Sequence, residues 1–240
     1  MDLLARTIGM HRCRLVYPAR AVLVVAGIPG AGKSTLIRRL FPSTPPLVLD
    51  PELIQQRYRS WLGDMVPYRV YRPLVHFEHY IRLAHAMKRP EGLVVHEVGT
   101  RWWVRRWIAR RARAAKRPAH LLLLEVDLDT ARTGQHRRGR QISPSAVKRH
   151  WRGWQRLRRQ LAAEECWPGC EGYASAVILS RADARNLASI DFGGKPRLFP
   201  GHERVFTEKR ARDVHGRTRL AGDVMAVRDL RGRTSRRHSR

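Results

Sequence analysis

Residues 21–36, AVLVVAGIPGAGKSTL, leave this chain little choice of fold. A short, nearly continuous apolar run rich in Val suits a parallel strand buried on both faces. Behind it come Gly27, Gly30 and Gly32, then Lys33, Ser34 and Thr35, and then Leu36, Ile37, Leu40 and Phe41 at helical spacing. The segment from Gly27 through Pro29, Gly30, Ala31, Gly32 and Lys33 to Ser34 fits G-x-x-x-x-G-K-[ST]. It lies between strand and helix, the context that gives the pattern its meaning. The glycines let successive N–H groups aim at one anion, and the following helix adds the positive end of its dipole. Lys33 can reach the outer phosphates of a bound nucleotide, and the Ser34 hydroxyl can bind Mg²⁺.

The rest of the chain repeats the alternation. Leu47-Val-Leu-Asp50 reads as a second strand, and Pro51 opens the helix PELIQQRYRSWL. A helix over roughly 73–88 carries Leu74, Phe77, Ile81 and Ala84 as its inward stripe. GLVVHE, ending at Glu97, is a third strand. Trp103, Val104, Trp107 and Ile108 are the inward side of the arginine-rich helix behind it. HLLLLEVD, residues 120–127, is a fourth strand. A short helix over 129–138 and a long basic one over about 144–164 follow. Residues 174–179 form a fifth strand and 183–190 a last helix. This order predicts an α/β fold, a doubly wound, mostly parallel five-stranded sheet with helices on both faces. The expected layout is an N-terminal extension over 1–19, a nucleotide-binding domain over 20–199, and a basic, disordered tail over 200–240.

Charge bears on partners. The 48 Lys and Arg against 20 Asp and Glu give a formal charge of +28, which attracts polyanions, nucleic acid first. All but six of those basic residues are Arg, a skew that coding composition alone can produce. No carboxylate occurs from Thr130 through Ala163, where ten basic residues lie; that block must be solvated, paired with distant acids, or facing phosphates. Cys13, Cys166 and Cys170 are too sparse for a disulfide framework. With no long apolar stretch or secretory leader, this indicates a cytoplasmic protein with free thiols and no membrane contact.

A Mg²⁺-bound triphosphate calls for a carboxylate at a neighbouring strand end. Glu97 and Asp50 both qualify, and Asp50 before Pro51 can equally cap its helix. With GIPGAGKST, VLDPELI, VVHEVGTR and LLLEVDLDTARTGQHRRGR together, the sequence resembles the small P-loop kinases. These include polynucleotide kinases, zeta toxins and many proteins called AAA family ATPases. The resemblance runs from residue 20 to about 192 and implies the P-loop NTPase fold. It further implies ATP and Mg²⁺ as cofactors and phosphoryl transfer to a hydroxylated acceptor, either a polynucleotide 5′-hydroxyl or a small molecule. In that pattern Asp50 is the general base, and Glu97 holds the metal with Ser34. Thr35 belongs to the nucleotide site, and Arg137, Arg138 and Arg140 close over the phosphates. The family commonly has Asp where Glu97 stands, and Gln135 occupies a position where an arginine is expected. The alternative is a nucleotide-binding ATPase module that associates with nucleic acid and has no acceptor. True AAA+ machines need a helical lid domain for which this chain has no room.

Weaker features are Arg72, His76 and His79, placed where such kinases build the acceptor pocket, and the Cys166–Cys170 pair, read as a turn. Trp102, Trp103, Trp107, Trp151 and Trp154 are core residues or stacking platforms for bases.

Overall fold

The computed structural model describes residues 13–43, 45–136, 143–162 and 172–193, together with two further strands at 205–212 and 218–225. Elements run β1 (Cys13–Tyr17), β2 (Val22–Ala26), α1 (Lys33–Leu40), β3 (Leu47–Leu49), α2 (Pro51–Leu62), α3 (Tyr68–Ala86), β4 (Leu93–His96) and α4 (Trp102–Ala114). They continue β5 (Ala119–Leu124), α5 (Leu128–His136), α6 (Pro144–Ala162), β6 (Ser175–Leu179), α7 (Arg181–Asn186), β7 (Leu187–Phe192), β8 (Val205–Arg212) and β9 (Thr218–Met225).

The main sheet has the order β3-β4-β2-β5-β6-β8-β9. Its first five strands are parallel, as the βα alternation requires. From β2 the chain moves outward to β3, returns through β4, and then crosses to β5 on the other side. The strand order therefore reverses around the C-terminal end of β2, where open α/β sheets bind their ligands.

Period-two alternation divides the core. Val22, Val24 and Ala26 point to one face, where Leu83 of α3, Val104 and Ile108 of α4, and Trp154 and Leu157 of α6 cover them. Leu23 and Val25 point to the other, against Leu36 and Ile37 of α1 and Leu15 and Tyr17 of β1. At the pole opposite the β2 C-terminal end, the buried Arg117 guanidinium donates to the carbonyls of Arg20 and Arg89, each at 2.7 Å, and of Glu91. That fork ties the strand-entry loops together.

Several expectations change. Within the segment read as an N-terminal extension, β1 pairs in parallel with β7 in a separate two-stranded sheet, and Leu15 and Tyr17 are core. The last helix stops at Asn186. A Ser180–Asp183 capping box opens it, and Leu187–Phe192 turns extended to pair with β1. In the stretch read as a disordered tail, β8 and β9 form an antiparallel pair on β6. Strands this near a sheet edge can carry polar, charged sequence, so they lack the apolar run that marks the central strands.

On α3 the expected stripe is the wrong one. Leu74 and Phe77 are exposed, whereas Tyr71, Val75, His79 and Leu83 are buried. The helix begins at Tyr68 with Pro73 inside it, one turn earlier than the proline suggests. On α4, Val104 and Ile108 are buried as expected, but Trp102 and Trp103 are more than half exposed. Trp154 is core, and Trp107 and Trp151 pack against the core. Cys166 and Cys170 lie outside the described residues. Among the described residues no helix is long and apolar enough to cross a membrane.

Candidate functional site

The glycine-rich loop leaves the end of β2 and enters α1 at Lys33. Gly30 (φ 90°) and Gly32 (φ 95°) both adopt the left-handed conformation, which side-chain-bearing residues rarely take. At Gly32 the backbone alone sets the requirement, since a Cβ there meets nothing within 4 Å. At Gly30 space does as well, because a Cβ would lie 2.0 Å from the Ala131 carbonyl of α5. Lys33 is buried, and its Nζ donates to the carbonyls of Gly27 (2.7 Å) and Ile28 (3.2 Å), bracing the loop. Ser34 is buried beside it. The first turn of α1 carries no acid and its last turn carries Arg38 and Arg39, so charge and helix dipole agree on an anion at the N-terminus.

Helix α5 lies directly on the loop. Gln135 Nε2 donates to the Pro29 carbonyl at 2.9 Å, and a Cβ on Gly134 would stand 2.4 Å from the Gly30 carbonyl. Gln135, conspicuous in the sequence as a non-arginine, thus holds the loop's outer edge. Arg137, Arg138 and Arg140 lie outside the described residues. On the other flank, a cleft runs beside Ala31, Gly32 and Thr35, lined also by Arg39, Val126 and Arg185. Arg39 shapes it by donating to the carbonyls of Arg185 (2.7 Å) and Leu187 (3.0 Å) at the end of α7.

The two strand-end acids occupy different environments. Glu97 follows β4, the strand beside β2; its amide donates to the Val25 carbonyl, and the next residue's carbonyl accepts from the Gly27 amide, each at 3.1 Å. This places Glu97 against the root of the glycine loop. It is 9% exposed; Oε1 accepts from the Val98 amide at 2.9 Å, and the Tyr80 hydroxyl donates to Oε2 at 3.4 Å. Burial first, then the Glu97 charge, push the Tyr80 phenol well above its ordinary pKa. No described basic side chain forms an ion pair with Glu97. A buried carboxylate without an ion pair among the described residues, on the strand beside the loop that carries the buried Ser34, is of the donor type that fits a hard divalent cation.

Asp50 stands one strand further out and performs the capping role as well. Its Oδ1 accepts from the Glu52 amide at 2.9 Å and from His96 Nδ1 at 2.7 Å. Strand register brings the pair together, since Leu49 lies opposite Val95. A carboxylate only accepts, so Nδ1 is the protonated nitrogen of His96. Burial alone would raise the Asp50 carboxyl, but the hydrogen bond and charge of His96, with the Glu52 amide, hold it below the usual carboxylate range. Both bonds fall on Oδ1, which leaves Oδ2 without a protein partner among the described residues.

Sequence reasoning located the loop and both acids but missed the His96–Asp50 contact, which depends on register between strands distant in sequence. The only visible signal was a histidine closing an apolar run. His76 and His79 do not form a metal centre: no group of three or more ligand side chains assembles among the described residues. His79 is buried within α3, and its Nε2 has no hydrogen-bond partner among the described residues. His76 is half-buried beside Arg72.

A five-stranded parallel sheet with this loop at its switch point defines a nucleotide-binding, kinase-like P-loop protein. A profile of the AAA domain family matches residues 22–162, more than half the chain, and the protein belongs to that family. No curated protein sequence matches the chain. Among solved structures, the PezAT toxin–antitoxin system of Streptococcus pneumoniae is similar, with 14% identity and a TM-score of 0.52 over 78% of this chain and 83% of that one. That likeness shows the fold. A gluconokinase from Sinorhizobium meliloti 1021 (15% identity, TM-score 0.41, 71% and 89% covered) is more distant. So is Chaetomium thermophilum Kti12 in complex with ADP-AlF3 (18%, 0.41, 69% and 94%).

Proposed function

We propose that the protein is a Mg-ATP-dependent kinase that phosphorylates a hydroxyl group. The observation that carries this reading is Asp50: a carboxylate oriented by His96, with one oxygen spare, at the same sheet edge as the phosphate loop. Capping α2 uses only Oδ1, and the spare, oriented Oδ2 is what an acceptor hydroxyl would use.

In this reading the amides of the loop and the α1 dipole hold the nucleotide phosphates. Lys33 exchanges its loop carbonyls for phosphate oxygens. The cleft beside Thr35 and Arg39 takes the base. Ser34 and Glu97 are the residues that would hold Mg²⁺, which would supply neutralisation of phosphate charge. The acceptor hydroxyl hydrogen-bonds to Asp50 Oδ2. Its oxygen forms a new bond to the γ-phosphorus as the bond between that phosphorus and the β,γ-bridging oxygen breaks. ADP leaves with the bridging oxygen, and the hydroxyl proton passes to Asp50. The low pKa of Asp50 keeps it ionised and available at neutral pH, while His96 fixes its orientation. The remaining work is charge neutralisation on the moving phosphoryl group, assigned to Lys33 and, from the family resemblance, to Arg137, Arg138 and Arg140.

ADP release from Mg-ATP, measured with and without a 5′-hydroxyl oligonucleotide in moderate salt and with Lys33→Ala as the blank, tests the reading. Stimulation with the γ-label arriving on the oligonucleotide supports a kinase acting on polynucleotides. Lys33-dependent ADP release with all label in inorganic phosphate, across polynucleotide and small hydroxylated acceptors alike, contradicts it.

A further inference from the structure

Beyond Asp50 lies a group of basic side chains that the steps above leave unused. Arg72 on α3 is half-buried, and its Nε donates to His76 Nε2 at 3.4 Å, one turn along the helix. Arg101, the residue preceding α4, is also half-buried; its guanidinium lies 5.9 Å from the Trp103 ring centroid and beside the Tyr80 hydroxyl. His150 on α6 is held through Nδ1, 3.1 Å from Thr100 Oγ1. Gly153 permits that approach, since a Cβ there would stand 2.9 Å from the Thr100 side chain.

These groups come from three helices and converge. Burial first, then the charges of Arg72 and Arg101, hold His76 down at about 4. His150 is held at about 4 by burial, then by Arg101, Arg149, Lys33 and Arg72. Both imidazoles are therefore neutral at pH 7 and sense the same two arginines. Among the described residues neither Arg72 nor Arg101 pairs with a carboxylate. Two guanidiniums partly withdrawn from water, neither in an ion pair among the described residues, suit an anion that joins them. The first turn of α4 carries no acid and adds the positive end of a 13-residue helix.

The cluster reaches Lys33 on its His150 side and Asp50 on its α3 side. His79, one turn beyond His76, senses both His76 and Asp50, so the arginines flank the Asp50 side of the site. We propose that Arg72 and Arg101, with His76, which bonds Arg72 and stacks on Tyr80, and His150, which bonds Thr100 next to Arg101, form a subsite for a phosphate group carried by the acceptor. The hydroxyl presented to Asp50 then belongs to a phosphorylated molecule: either a polynucleotide, through its first phosphodiester, or a small phosphomonoester. This rests on the kinase reading of the site.

Inorganic phosphate is the probe. It is titrated calorimetrically, at about physiological ionic strength so that the overall positive charge is screened, into protein saturated with Mg²⁺ and a non-hydrolysable ATP analogue. Saturation by the analogue, measured first, reports on the nucleotide site independently of the subsite. Arg72→Gln and Arg101→Gln should each weaken phosphate binding by about tenfold, the usual scale for removing one charge-assisted contact. Analogue affinity should stay within about twofold, which also reports that the fold is intact. Arg110→Gln, on the exposed side of α4, should change neither. Equal phosphate binding in all three variants overturns the subsite. If the analogue does not bind, the kinase reading fails, and the same arginine variants titrated without nucleotide still decide the subsite. There, loss in Arg72→Gln and Arg101→Gln supports it, and loss confined to Lys33→Ala overturns it. Competition by a 5′-hydroxyl dinucleotide or by a sugar monophosphate identifies the source of the phosphate. Displacement by neither overturns its assignment to the acceptor.

Discussion

Gly134 shows how one hydrogen atom in place of a methyl group shapes the phosphate loop. Intrinsic helix propensity favours Ala over Gly by about 1 kcal/mol inside a helix such as α5. Here the added Cβ would stand 2.4 Å from the Gly30 carbonyl, with the loop backbone unable to retreat. Overpacking of that kind costs about 1–3 kcal/mol, so packing outweighs propensity. Gly134→Ala should lower the melting temperature and weaken ATP binding together, as read by thermal unfolding and calorimetry. A rise in melting temperature at unchanged affinity would show that α5 does not press on the loop. Gln135 belongs to the same contact, and its bond to the Pro29 carbonyl explains why this position can dispense with an arginine.

Helix α3 shows what patterning can and cannot carry. Leu74, Phe77 and Ile81 make an apolar stripe as regular as Tyr71, Val75 and Leu83, and only the second faces the sheet and α2. Val75→Ala should cost about 2 kcal/mol, whereas Phe77→Ser should leave stability within about 0.5 kcal/mol, by chemical denaturation of each variant. The reverse order would restore the first stripe to the core. The five parallel strands were legible because each is an apolar run followed by a helical period, even in the half-buried β3. The site was legible where it is local: the loop is contiguous, and Asp50 and Glu97 end their strands. Three things were not legible. The Asp50–His96 bond needs inter-strand register, the Gly134–Gly30 contact needs helix placement, and β8 and β9 are polar strands without a core-facing run. Residues 187–190 were read as helix because pairing with β1, 174–175 residues earlier in the register, decides their conformation.

For the whole molecule, acid should act through buried histidines. His79 and His120 are held at about 4, chiefly by burial, against an ordinary value of 6.5. Below 6.5 the unfolded chain binds protons that the folded chain refuses, so the stability these groups contribute is complete above that value. It is lost as pH falls toward 4, on the order of a few kcal/mol in all. Melting temperatures between pH 7 and 4 should fall steadily, and His120→Asn should flatten part of that slope, since an amide can keep the bond to Ser175. A flat profile in the unmodified protein would mean that both imidazoles find proton acceptors. The same neutral state in His76 and His150 keeps the basic cluster beside Asp50 from gaining two further charges at neutral pH.

The most direct test of the account is the Asp50→Asn variant, assayed for nucleotide binding and phosphoryl transfer in one preparation. Asn is as good a helix cap as Asp, so the start of α2 should survive. The account predicts Mg-ATP affinity within about twofold of the unmodified protein and transfer slowed by about 10²–10⁴, the range for loss of a general base. Transfer undiminished in Asp50→Asn, with Lys33→Ala inactive beside it, would contradict the role given to Asp50 and reduce that carboxylate to a helix cap.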